Sequence, residues 1–118
     1  MVKIKRAYDH PDASDGGRYL VDRLWPRGIS KDDAQLTGWL KDLAPSDELR
    51  QWFHAHPEKW DEFQEKYRAE LHNDDKLATI RELSAQARKQ TITLVFAAKD
   101  TEHNNAVVLK NLIERAGK

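Results

Sequence analysis

The chain contains no cysteine, which excludes disulfides, thiolate metal sites and cysteine nucleophiles together. No run of about 18 apolar residues occurs, so a membrane-spanning helix is not expected. Met1 leads directly into Val2-Lys3-Ile4-Lys5-Arg6, without the apolar core of a signal peptide, and the expectation is a cytoplasmic domain with no membrane partner. Only 5 Gly and 4 Pro are present, with no low-complexity tract, internal repeat or linker. Nucleotide fingerprints are missing too: there is no Gly-x-Gly-x-x-Gly and no phosphate-loop Gly-Lys-Ser/Thr string, and Gly16-Gly17 alone reads as a turn. No Ser-centred nucleophile elbow appears. Finally there is no net charge, with 20 Lys+Arg against 20 Asp+Glu.

What remains is a 118-residue chain of ordinary single-domain size, read as one domain over residues 1–118. At 39% hydrophobic and 34% charged it is too apolar for disorder and too punctuated for a coiled coil. The balanced charge is unevenly spread. Residues 1–31 hold seven basic and four acidic residues, residues 32–87 seven and thirteen, and residues 88–118 six and three. Two basic ends thus flank an acidic middle.

Val2, Ile4 and Tyr8 alternate with Lys3 and Lys5, a strand with one buried face. Arg6 falls on its apolar side, which fits an edge strand or a functional inward charge. Residues 9–17 are turn-forming, and a second strand is expected near 18–24, closed before Pro26. Leu36 to Leu40 suits a short strand or a helical turn. Ser46 is a natural N-cap, followed by Asp47 and Glu48 at the positive end of a helix. Pro57 suits a first helical position, ahead of the stripe Trp60, Phe63, Tyr67 and Leu71. Asn73 or Asp74 caps a third helix, with Leu77, Ile80, Leu83 and Ala87 inward. Thr91 to Ala97 is a β-favouring run of the kind covered on both faces in parallel sheets. A last helix follows with Thr101 as its expected N-cap. The order predicts a small single α/β domain, its short, largely parallel sheet of three to four strands flanked by about four helices.

In such sheets ligands bind beyond the carboxyl ends of the strands. The second strand ends at Asp22 and Arg23 and runs on to Arg27 and Lys31. The last ends at Lys99 and Asp100 and runs on to Thr101, His103 and Asn104. If the two strands are parallel, both basic segments meet at one edge, beside a helix N-terminus that favours anions. Asp22 is an odd residue for a packed strand, because an unpaired buried carboxylate is costly. It either serves a site or pairs with a neighbouring arginine such as Arg18. Arg23 and Arg27 suit an anion, or else tether their loop. His103 is the candidate general acid or base, with Asp22 as the carboxylate that orders the arginines, or it is simply a residue of the helix's first turn. Asp100 binds a hydroxyl or serves the helix dipole, and Asn104 positions a ligand or helps the cap. Arg50 shares a helix face with His54 and reaches the same region. His54 and His56 form a His-x-His pair across a helix end, but no further spacing completes a metal set. Trp52 and Trp60 fit core stripes, Trp39 is better placed in the core, and Trp25 sits where it could stack a ring.

The string Leu20-Val21-Asp22-Arg23-Leu24-Trp25-Pro26-Arg27-Gly28 strongly resembles the YeaO-like family of small bacterial proteins of unknown function. The likeness continues through Trp39-Leu40-Lys41-Asp42-Leu43-Ala44-Pro45-Ser46, Tyr67-Arg68-Ala69-Glu70-Leu71 and Ala97-Ala98-Lys99-Asp100 with His103-Asn104. The resemblance implies a compact α/β domain and supplies no activity. It also implies that longer relatives carry cysteine and histidine near the place of His103-Asn104-Asn105. A thiol-dependent role does not transfer to a chain without cysteine.

The leading expectation is therefore a small anionic ligand, phosphate- or carboxylate-bearing, held by Arg23, Arg27, Lys31, Arg50 and Lys99. Nucleic acid is the weaker expectation, since its binders usually carry a basic excess. A protein partner on the acidic helices is the third. Nothing in the sequence sets a cofactor, a reaction or an oligomeric state.

Overall fold

Alternation in the first strand sets the two faces of the sheet. In the computed structural model, which describes residues 1–117, β1 runs Val2–Arg6, with Val2 and Ile4 packed into the main core. Lys3 and Lys5 point to the opposite face, where they meet Asp15. β4, Ile92–Phe96, is buried along its whole length, as its unbroken apolar pattern requires. It lies at the centre of a four-stranded sheet in the order β1-β4-β2-β3, all parallel, where β2 is Gly17–Leu20 and β3 is Gly38–Trp39. β1 is consequently an edge strand. Arg6 uses that position to donate to the carbonyl oxygens of Ala97 (3.3 Å) and Ala98 (2.9 Å).

Among the described residues, five α-helices complete the domain: α1 (Lys31–Ala34), α2 (Asp47–Ala55), α3 (Trp60–Leu71), α4 (Asp74–Lys89) and α5 (Asn105–Ala116). Leu49, Phe63, Tyr67, Leu71, Ile80, Leu83, Leu109 and Ile113 bring α2 to α5 onto one face of the sheet, against Ile92, Leu94 and Phe96. Ser46 and Asn73 cap α2 and α4 as their sequences suggest. The acidic residues of the middle segment sit mostly on the exposed sides of these helices.

Several boundaries differ from expectation. β2 ends at Leu20 and not near residue 24. Val21 N–H still bonds Val95, but the Asp22 side chain then takes the next N–H of the β4 segment, that of Ala97, and the ladder stops. Pro57 lies in the turn before α3, which starts three residues later at Trp60 without a side-chain cap. Asn104, not Thr101, caps α5. Its amide oxygen accepts from Val107 N–H while its NH2 group donates to the carbonyl of Asp100.

The other sheet face is covered by loops and α1, and it is only partly apolar. Ala7, Leu20 and Val95 pack there with Trp25, Ile29 and Leu36. Beside them Asp15, wholly buried, receives Lys3, Lys5 and the Arg18 guanidinium (2.7 Å), and the backbone N–H of Asp12. Arg18 donates its remaining N–H groups to the Ala34 carbonyl, fixing α1 to the sheet. Gly16 has φ +63°, and a Cβ there would lie 1.9 Å from the Thr91 carbonyl oxygen, so no other residue fits.

Burial alone would raise the Asp15 pKa. It is outweighed by the hydrogen bond from Asp12 N–H and those from Lys5, Arg18 and Lys3, which lower it from 3.8 to about 2. Removing the carboxylate strands a buried guanidinium, so Asp15→Ala should cost roughly 3–5 kcal/mol in chemical denaturation at neutral pH. Because the folded pKa is depressed, this contribution is full above 3.8 and lost as pH falls through about 2. The wild-type advantage over Asp15→Asn should shrink across that window.

Candidate functional site

Because β2 and β4 are parallel neighbours, their carboxyl ends emerge on one edge, and Asp22 joins the segments that leave them. Its Oδ2 accepts from Ala97 N–H (2.9 Å), just beyond β4, and its Oδ1 accepts from the Asn105 side-chain amide (3.1 Å) at the first turn of α5. The same Asn105 nitrogen donates to the Val21 carbonyl (2.8 Å). The Asp22 carbonyl in turn accepts from the Trp39 indole N–H (2.6 Å), at the end of β3. One residue thus fastens the ends of three strands and the start of α5. Burial raises the Asp22 pKa, although Ala97 N–H, the Asn105 amide and the charge of Arg50 act in the opposite direction. The alternative pairing with Arg18 is not realised, since that guanidinium belongs to Asp15.

The expected cations divide into two groups. Arg23 is a tether: its Nε donates to the Pro45 carbonyl (3.0 Å) and its Nη2 to that of Ala44 (3.4 Å), holding the segment that enters α2. Arg50 stands close enough to Asp22 to influence its charge, and otherwise makes only a loose ion pair with Asp47 at 3.5 Å. Arg27 and Lys99 are exposed, and neither side chain has a hydrogen-bond or ion-pair partner among the described residues. They are nonetheless linked through β1. Tyr8 OH donates to the Arg27 carbonyl (3.0 Å), the Arg6 guanidinium lies over the Tyr8 ring at 5.2 Å, and Arg6 holds Ala98, next to Lys99. Lys31 is exposed on α1 and takes no part in these contacts.

His103 sits on the helical flank of the junction. Its Nδ1 lies 3.0 Å from Asp100 Oδ2 and its ring meets Trp60 edge-on, with centroids 5.2 Å apart. Asp100 also accepts from the backbone N–H groups of Glu102 and His103, and these, with the His103 ring, lower its pKa. Thr101 is exposed and does not cap the helix. His56 ends α2, His54 is exposed, and no group of three or more His, Asp or Glu among the described residues could hold a metal ion. Trp25 is half-buried, bonded to the Ile29 carbonyl and set at 71° to the Trp39 ring, with centroids 5.6 Å apart. Trp39 is the more exposed of the two. It walls a cleft of about 230 Å³ with Lys41 and Thr79, and a second, more open cleft runs past Arg23, Asp42 and Asp74. Neither reaches Asp22 or His103.

Two participants, Asn105 and Tyr8, take no site role in a reading of the sequence, and a third, Arg6, is marked there as an edge-strand or inward charge. Arg6 carried a signal, an arginine on the apolar side of a strand. Asn105 was hidden by its neighbour, since either asparagine suits a helix start.

Comparison with other sequences places this edge in context. Residues 1–118 match the family described as the inactive DUF488-N3 subclade. The chain belongs to that family. YeaO of Escherichia coli, an uncharacterized protein, is 45% identical over 108 residues, covering 92% of each chain. An uncharacterized protein of Mycobacterium tuberculosis is 44% identical over 112 residues, or 95% of this chain and 92% of the relative. No solved structure matches significantly. The DUF488-N3 chain thus shares a YeaO-like sequence with bacterial relatives over nearly its full length.

Asp22→Ala leaves the Ala97 N–H without its acceptor and takes from the Asn105 amide one of its two acceptors, the Val21 carbonyl remaining, and should cost about 1–3 kcal/mol in denaturation. An acid whose folded pKa is raised contributes stability below its unfolded value that is lost as pH rises. The Asp22 contribution should therefore fall as pH rises above 3.8, so the stability of the wild type relative to Asp22→Asn should decline with pH just above that value.

Proposed function

We propose that the chain binds a small anionic molecule, bearing phosphate or carboxylate, at the carboxyl edge of its sheet. The observation that carries this reading is the Asp22 junction. It draws the loop after β2 and the loop after β4 together, so that cations far apart in sequence share one edge of an otherwise neutral protein. Arg27, Arg50 and Lys99 are the residues with charge to spare for a ligand. Arg23 and Asp22 position the loops, with their own polar atoms already engaged.

His103, oriented by Asp100, has its Nε2 for a ligand hydroxyl or phosphoryl oxygen, which is where acid–base chemistry would enter if the ligand reacts. The family description as inactive favours binding without turnover. Asp100, Thr101 and Asn104 shape the loop that carries Lys99 and His103. The absence of net charge supports a local anion site over a polyanion-binding surface.

The test is a thermal-shift panel of inorganic phosphate, nucleotides, sugar phosphates and dicarboxylates on the full chain. At least one compound should raise Tm in a concentration-dependent way. Arg50→Ala and the Arg27→Ala/Lys99→Ala pair should each weaken that compound about tenfold or more, since a charge-assisted contact is worth that much, with the unliganded Tm nearly unchanged. No shift with any compound at millimolar concentration would reject the reading.

A further inference from the structure

Tyr8 is an exposed aromatic at the carboxyl edge, and its surroundings hold it there. The residue keeps 47% of its surface exposed, yet its hydroxyl is bonded to the Arg27 carbonyl and one face of its ring lies under the Arg6 guanidinium, 5.2 Å from the centroid. Arg6 is itself held by the carbonyl oxygens of Ala97 and Ala98. A tyrosine with no role at a surface would move among rotamers; this one is braced at both ends. The hydroxyl contact is to Arg27 itself, and Lys99 is the next residue after Ala98. An aromatic surface is thus fastened to the segments that carry Arg27 and Lys99, two cations without a partner among the described residues.

From this we infer that the anion taken at this edge carries a planar heteroaromatic ring, as a nucleoside monophosphate does, with the ring stacked on Tyr8 and the phosphate held by Arg27 and Lys99. The inference rests on the anion reading and narrows it to a ligand class. Stacking on aromatic side chains and arginine planes tolerates any base, because every base presents a π face. It also costs little ordering where the platform is already fixed. Two cations suit a single phosphate, whereas a long polyanion would meet the exposed acidic faces of the helices.

Isothermal titration of the full chain with adenosine monophosphate, ribose 5-phosphate and adenosine separates the contributions. Adenosine monophosphate should bind about tenfold or more tighter than either fragment. Tyr8→Ala should bring it down to the level of ribose 5-phosphate and leave ribose 5-phosphate itself unchanged. Tyr8→Trp, which keeps a stacking surface, should retain the preference, and so guards against a loss of fold in the alanine variant. Arg27→Ala should weaken both phosphates and spare adenosine. Equal binding of the two phosphates, unaffected at Tyr8, would overturn the stacking inference while leaving the anion reading in place. Failure of all three compounds together with every anion of the thermal-shift panel would overturn both.

Discussion

A carboxylate at the end of β2 decides how the edge of this sheet is closed. In a parallel sheet each strand leaves the ladder at the same side, and its last backbone groups need partners before the chain can turn into a helix. Asp22 supplies two acceptors at that point, one for Ala97 N–H and one for Asn105, while its own carbonyl receives the Trp39 indole. The ends of β2, β3 and β4 and the start of α5 are thereby set relative to one another. The placement of Arg27, Arg50, Lys99 and His103 depends on this arrangement, because each lies on a segment that the junction positions or borders.

A second carboxylate, just before the start of β2, solves a different problem. Asp15 sits among Lys3, Lys5 and Arg18 on the face that α2 to α5 do not cover, and it is fully charged in character. Asp22 is held mainly by neutral amide donors with Arg50 at a remove, and burial has the upper hand. The two groups are shifted in opposite directions for this reason: the Asp12 N–H together with three direct cationic partners outweighs desolvation at Asp15, whereas Ala97 N–H, the Asn105 amide and the charge of Arg50 do not at Asp22. One short strand thus separates a structural ion cluster from a carboxylate held mainly by neutral donors at the proposed site.

The strong periodic signals in the sequence carried over directly. Unbroken apolar character identified β4, alternation identified β1, and Ser46 and Asn73 marked helix starts, because each depends on local chemistry alone. The parallel sheet, with β2 and β4 ending at one edge, also followed. Details resting on long-range partners did not. Arg23 is a tether because Ala44 and Pro45, some twenty residues on, present carbonyl oxygens to it. Asn104 displaces Thr101 as the cap because an Asp100-centred turn uses the intervening residues. Asp15 looks like one more loop residue in the sequence, since nothing near it announces that Lys3 and Lys5 will lie across the sheet. Lys31 follows Asp22 closely in the chain, but α1 carries it out of the junction's contacts.

These substitutions of partner change what an anion at the edge must do. Reading a helix N-terminus as a vacant anion site assumes that no internal group has taken it. Here two helices are served from within. Asp22 bonds the side chain of Asn105 at the head of α5, and Glu70 accepts from both the backbone N–H (2.8 Å) and the hydroxyl (2.6 Å) of Ser46 at the head of α2. Asn104 Oδ1 and Ser46 Oγ satisfy further N–H groups at the same termini. A ligand relying on helix dipoles would have to compete with resident carboxylates at local concentrations no free solute reaches. The proposed anion therefore depends on Arg27 and Lys99, which have no partner among the described residues, and on Arg50, held only by a loose contact with Asp47, and its grip is correspondingly a matter of screened charge at an exposed edge. An additional contact that salt does not weaken, such as a ring stacked on a fixed aromatic, is what would give such a site selectivity.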